Sequence, residues 1–344
     1  MNPANNWLGL PVLHAVGLTL LLALTAYVLT AGADFGGGIW DLLANGPRRD
    51  KQREVIAHAI GPIWEANHVW LIFVVVIMFT AFPPAFGALS IALFIPFHLL
   101  LGGIVLRGGA FIFRSHEEVA SPRWRRWAAI FGAASVISPF ILGATLSAVS
   151  SGGIRVVNGY VTVNTALAWF SPLSLLVGAL TLAICAYLAA VYLTVETQGE
   201  IQEDFRRRAL GAWAVVAILP AILLILVARH SPLLWAHFAS LEARVPMAIG
   251  IVLAIGSGWA MWARRYKLGR ILAMAEVAIL LWGWAFAQWP YIIFPDVTAA
   301  NSAAPVPTLR FLLNTLPYGF AILIPSLIFL FAVFKGKEPL HPSA

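Results

Sequence analysis

Apolar residues run along this chain in long, nearly unbroken stretches separated by short polar breaks. Nine stretches stand out, at 10–33, 58–82, 86–113, 125–149, 166–195, 207–228, 245–263, 270–291 and 309–334. Each is close to the roughly 20 residues a helix needs to cross the hydrocarbon core of a bilayer. Lipid offers no partner to backbone N–H and C=O groups, so spans this apolar must be helical; the alternating segments of a barrel are absent. Pro83-Pro84 predicts a tight turn between the second and third stretches, because proline lacks an N–H and disfavours helix in the residue before it.

Composition agrees with the pattern. Of 344 residues, 60% are hydrophobic and 11% charged, against about a quarter charged in a soluble domain. The net charge of +7 would suggest nucleic acid on a soluble protein. Here the basic residues sit in the breaks, so they read as topology signals and nucleic acid is not expected. The fold class is an all-α polytopic membrane protein, a single integral membrane domain over 1–344. Leu22–Tyr27 echoes Leu182–Tyr187, which fits either chance or pseudo-repeat halves over 10–150 and 166–291, with 309–334 as a peripheral helix.

The charge count adds orientation. Eighteen Lys and Arg fall on one side: Arg48, Arg49, Lys51 and Arg53; Arg107, Arg114, Arg123, Arg125 and Arg126; Arg206–Arg208; Arg264, Arg265, Lys267 and Arg270; Lys335 and Lys337. Four fall on the other: Arg155, Arg229, Arg244 and Arg310. By the positive-inside rule the N-terminus is external and the C-terminus cytoplasmic. No basic segment precedes the first apolar run, and that run is long, so it reads as an uncleaved span despite Ala31-Gly32-Ala33. The single cysteine, Cys185, reads as interior filler; it excludes an internal disulfide and a multi-cysteine zinc site.

Charges inside spans are costly and therefore informative. Glu65 lies in the second span; His58, Gly61, Glu65 and His68 share a helix face, with Glu65 about 10 Å deeper than His58. This arrangement reads as a proton relay from the cytoplasm, or as a carboxyl that pins the helix to a neighbour. Asp34, in Ala33-Asp34-Phe35-Gly36-Gly37-Gly38 at the end of the first span, reads as a helix cap or a proton inlet. The three glycines permit close backbone approach or a helix break; no phosphate-loop Lys-Ser/Thr follows them. His98 and Glu276 are further buried candidates. His98 reads as a satisfied interior group or a ligand, and Glu276 as a carboxyl facing Arg270 or the interface. Arg107 pairs with an acid or snorkels. Trp282, Trp284 and Trp289 read as an interfacial belt and packing.

Two segments, Ala33–Gly38 and Gly61-Pro62-Ile63-Trp64-Glu65-Ala66-Asn67-His68-Val69-Trp70-Leu71-Ile72, resemble signatures of subunit II of the cytochrome bd-type quinol oxidases. Leu106-Arg107-Gly108-Gly109-Ala110-Phe111-Ile112-Phe113-Arg114 resembles a third, and Ser171-Pro172, Gly178 and Phe294-Pro295 also fit. The resemblance spans essentially the whole chain and implies two four-helix bundles plus a peripheral helix. It implies a bacterial cytoplasmic (inner) membrane complex that oxidises quinol and reduces oxygen to water, drawing protons from the cytoplasm. The partners implied are a homologous subunit I, an optional small accessory subunit and membrane lipid. Haem b and haem d are expected on subunit I, with no metal and no catalytic residue in this chain.

Asp34 and Glu65 match acids of the family's proton route. Gly36, Gly37, Gly38, Trp64, Asn67, Trp70, Arg107 and Arg114 are signature positions. Many members carry an acid where this chain has Ile112, so the route relies on Asp34 and Glu65, or His68 and His98 substitute. Two other classes compete. A proton-coupled secondary transporter should show broken helices at matching places in its halves, and glycines 36–38 have no counterpart. A self-sufficient membrane cytochrome would need an axial histidine pair, which His14, His230 and His237 do not obviously form.

Overall fold

The computed structural model describes residues 6–118, 121–162, 168–230, 235 and 241–335, without the side chains of 60–66, 230, 241–243, 331, 334 and 335. The chain is a helical membrane protein. Eight described helices are long and apolar enough to span a bilayer, and a bent pair raises this to nine.

In chain order the helices are α1 Val12–Leu42, α2 Arg49–Ala81, α3 Pro83–Ala92, α4 Phe94–Ser115, α5 Pro122–Ser150, α6 Pro172–Glu196 and α7 Gly199–His230. Then come α8 Leu241–Trp262, α9 Tyr266–Gln288, the single turn α10 Ala299–Ser302 and α11 Val306–Lys335. Most differ from the apolar stretches by growing at polar ends. α2 begins nine residues before its apolar run, so Arg49, Lys51 and Arg53 belong to its first turns and not to a loop. α7 likewise includes Arg206–Arg208. Hydropathy marks where a helix enters hydrocarbon, whereas the backbone ladder continues into the headgroup zone.

Two departures go deeper. The first span does not end at residue 33: α1 runs on through the three glycines to Leu42. A neighbouring helix backbone packs there, so the glycines permit contact and do not break the helix. A methyl on Gly36 would overlap the carbonyl of Cys185 on α6, and one on Gly38 would overlap the Ser135 hydroxyl on α5. The third stretch, 86–113, is two helices, interrupted at Leu93. Pro96 has no N–H to give the carbonyl four residues back, and its ring crowds it, which accounts for the break. Pro83 and Pro84 open α3 after Phe82 leaves helical geometry, and the α2–α3 bend is 117°.

Serine caps start two spans. Ser121 accepts from Trp124 N at 3.1 Å ahead of Pro122, and Ser171 accepts from Ser174 N at 3.1 Å ahead of Pro172. Proline at the first helical position loses nothing, since that N–H has no intrahelical partner.

α1 is central: it packs on α2, α5 and α6, while α4 lies on α5, α7 on α6, and α8 on α9. α11 leans on α2 and α1 and leaves most of its surface exposed. Three two-stranded hairpins, Asn6–Pro11, Val156–Val161 and Tyr291–Thr298, share one end with a core of Val12, Ile77, Phe82, Ile154 and Ile293. Arg155 forks onto Asp296 between two of these hairpins. The opposite end carries the basic residues; there Arg48 forks onto Asp204 and binds Glu200, tying the start of α2 to α7.

Of the belt and packing roles expected for the tryptophans, packing is what the structure displays. Trp282 donates to Thr25 at 3.0 Å, Trp284 donates to Ser150 at 2.9 Å, and Trp289 covers Gly17. Cys185 is a free, buried thiol packed with Tyr27, Ala31 and Phe35.

Candidate functional site

The chemistry of the first half rests on a heptad. Asp34 and Asp41 lie seven residues apart on α1, and Arg107 and Arg114 seven apart on α4. Two turns of helix return to nearly the same face, about 10 Å along the axis. Both pairs have the same sequence separation, 73, so the two helices meet as a ladder with two rungs.

The deeper rung is closed to solvent. Asp34 is 0% and Arg107 2% exposed. Arg107 forks onto the Asp34 carboxylate, with Nη1 to Oδ2 at 2.7 Å and Nη2 to Oδ1, and Nη2 also donates to the Asp34 carbonyl at 2.9 Å. Its Nε donates to Ser135 Oγ at 2.8 Å, and that hydroxyl donates to the Phe131 carbonyl. Asn67 Nδ2 on α2 adds a bond to Asp34 Oδ2 at 2.6 Å. The rings of Phe35 and Phe131 flank the guanidinium at 5.0 and 4.8 Å. One cluster therefore joins α1, α2, α4 and α5. A fork of this kind fixes orientation as well as distance, which a lysine would not.

The outer rung repeats the device. Arg114 donates to both Asp41 oxygens at 2.8 and 3.1 Å and lies 4.4 Å over Trp124. Arg53 Nε donates to the Asp41 carbonyl at 3.2 Å, and its guanidinium lies 5.6 Å from the same indole. A cavity of about 280 Å³ opens beside this rung, at the basic end.

The second half holds a different buried acid. Glu276 is 2% exposed and sits ten residues into α9. It does not face Arg270, which instead approaches Glu196 at 3.7 Å. Ser257 donates to Glu276 Oε2 at 2.7 Å, and Tyr187 donates to the same oxygen at 3.4 Å.

The remaining candidates distribute unevenly. Glu65 and Trp64 are in α2, but their side chains lie outside the described residues. His68 is half-buried next to Asn67. His98, expected to be interior, is on an exposed face of α4; its Nδ1 meets the Phe94 carbonyl at 2.7 Å and its ring lies on Phe94. Trp70 packs between Phe73 and Phe320, joining α2 to α11. Gly37 is buried within α1. Ile112 faces outward. Asp34 is neither a cap nor surface-accessible, since α1 continues past it. Sequence reading missed Asp41 and Ser135; Asp41 was signalled by its heptad distance from Asp34, matched by Arg107 and Arg114.

Residues 13–334 match the family model described as Cytochrome bd terminal oxidase subunit II. This chain belongs to that family. A relative, "Cytochrome bd ubiquinol oxidase subunit 2" of Bacillus subtilis (strain 168), is 26% identical over 95% of this chain and 98% of its own length. "Cytochrome bd-I ubiquinol oxidase subunit 2" of Escherichia coli (strain K12) is 27% identical over 57% of this chain and 51% of its own. In three dimensions the fold is that of a chain in the bd oxidase from Geobacillus thermodenitrificans, with TM-score 0.79, 22% identity, and coverage of 95% of this chain and 99% of that one. Membership makes this subunit II part of a haem-containing quinol oxidase complex in a bacterial membrane, and the transporter and lone-cytochrome readings fall away. Among the described residues no three His, Cys, Asp or Glu side chains gather as a metal site.

Proposed function

We propose that this subunit II pairs with a haem-bearing subunit I, and that the complex oxidises quinol, reduces oxygen to water and draws its protons through this chain. The haems supply the electron path to oxygen and are assigned to the partner.

The observation that carries the reading is the charged ladder descending from the basic end into the protein. Isolated charges in a span are expensive, and those retained there mark ion or proton paths or their supports. The basic end is assigned to the cytoplasm by the excess of Lys and Arg. Protons enter there and pass along the α2 face that bears His58, Glu65 and His68. The Asp34–Arg107 fork and its bond from Asn67 hold α2 in register with α1 and α4, so the deeper rung positions the route. Glu65 is the residue that takes up and releases the proton.

The test is Glu65→Gln in the assembled oxidase, reconstituted in vesicles. Quinol-driven oxygen consumption and charge separation should fall together, while the haem spectrum is unchanged. Wild-type turnover with wild-type charge separation would overturn the route.

A further inference from the structure

The cavity beside the outer rung is basic in a way that the ion-pair ladder does not use. Arg49 and Arg53 on α2 and Arg125 on α5 line it, together with Asp41, Leu42 and Trp124. The one carboxylate on its wall, Asp41, is already forked by Arg114. Arg53 is held through Nε to the Asp41 backbone and lies on Trp124, and among the described residues its Nη groups make no bond to a carboxylate. The ion pair of Arg49 is with Asp50, at 3.4 Å and on the exposed side, and Arg125 is an exposed residue of α5.

Two helix N-termini converge on the same space. Arg49 is the first residue of α2, and Trp124 and Arg125 stand in the first turn of α5 behind the Ser121 cap. Each terminus adds partial positive charge. Three guanidiniums, two helix starts and one neutralised acid demand an anion. The apolar part of the wall is Trp124, Ala128, Ala129 and Leu42, the last 40% exposed at the end of a span. An anion that sits here is therefore carried by something that also covers hydrocarbon.

We propose that this cavity binds the phosphate of an anionic phospholipid, with the phosphodiester against Arg49, Arg53 and Arg125 and an acyl chain passing over Leu42. Basic pockets between helices at the cytoplasmic membrane surface suit such headgroups. Arginine suits the task because its fork matches two phosphate oxygens. The lipid would link α1, α2 and α5 at the end where the ladder begins.

The test uses the assembled two-subunit oxidase, stripped in detergent and returned to phosphatidylglycerol or phosphatidylcholine, with retained lipid counted by native mass spectrometry. Wild type should keep one phosphatidylglycerol that phosphatidylcholine does not replace. Arg49→Gln/Arg125→Gln, two exposed positions outside the ladder, should weaken it about thirtyfold, at about one decade per 1.4 kcal/mol and about 1 kcal/mol per arginine. Arg125→Gln alone should give an intermediate loss, and serves if the double variant does not assemble. Equal retention by the variants overturns the site. A melting shift caused by inorganic phosphate at matched ionic strength, without phosphatidylglycerol retention, overturns the lipid assignment.

Discussion

Asp34 in the first half and Glu276 in the second are both buried acids in transmembrane helices, yet their surroundings differ in kind. Asp34 faces a guanidinium that forks onto it and an amide that completes its shell. Among the described residues Glu276 accepts from hydroxyls alone, those of Ser257 and Tyr187. The first is a charge held by a charge, so neither partner is tolerable alone. The second is a polar group held by neutral donors, and it depends little on carrying a charge. Among the described residues the buried ion pairs, Asp34 with Arg107 and Asp41 with Arg114, lie in the first half.

The contrast breaks most visibly at Arg107. Arg107→Ala should cost about 3–5 kcal/mol, because it strands a buried carboxylate, and should deplete the haem absorbance of the complex recovered from membranes. Gly36→Ala comes next, at about 1–3 kcal/mol, since its methyl meets the Cys185 backbone, which cannot swing aside as a side chain does. A melting curve of the purified complex checks it, with Gly102→Ala on α4, where nothing lies near, as the control. Glu276→Gln should cost about 1 kcal/mol or less, as the amide oxygen still accepts from Ser257 and Tyr187. A loss as large as that of Arg107→Ala would erase the distinction between the two acids.

The smallest effect lies outside the membrane. The Arg155 guanidinium, then the Val156 N–H, hold the Asp296 carboxyl below the usual carboxylate range. A lowered folded-state value means the contribution is complete above the unfolded value of about 3.9 and fades as the pH falls through the folded one. Between about pH 5 and pH 3 the melting midpoint of wild type should approach that of Asp296→Asn; at pH 7 the two should differ.

Much of this was legible in the residues. The spans were visible because lipid demands continuous apolar runs, and the Pro83-Pro84 turn because proline leaves no choice. Arg107 was visible as a charge in need of a partner. Helix ends were not legible: Arg49, Lys51 and Arg53 read as a loop, although helix continues where water and headgroups satisfy the side chains. Nor was the fate of glycines 36–38, since only the neighbour at Cys185 decides between contact and break. His98 looked buried because hydropathy cannot tell an outward-facing side of a helix from an inward one. The outer rung was readable in principle from Asp34, Asp41, Arg107 and Arg114, whose shared spacing aligns them once α1 and α4 are known to be parallel.

Asp34 and Arg107 act as one unit. A double-mutant cycle with Asp34→Asn and Arg107→Gln, read as the thermal midpoint and haem absorbance of the assembled complex, measures that directly. Each single variant should be strongly destabilised, and the double variant no worse than the worse single. Penalties that simply add would show that the two residues contribute independently, and would contradict it.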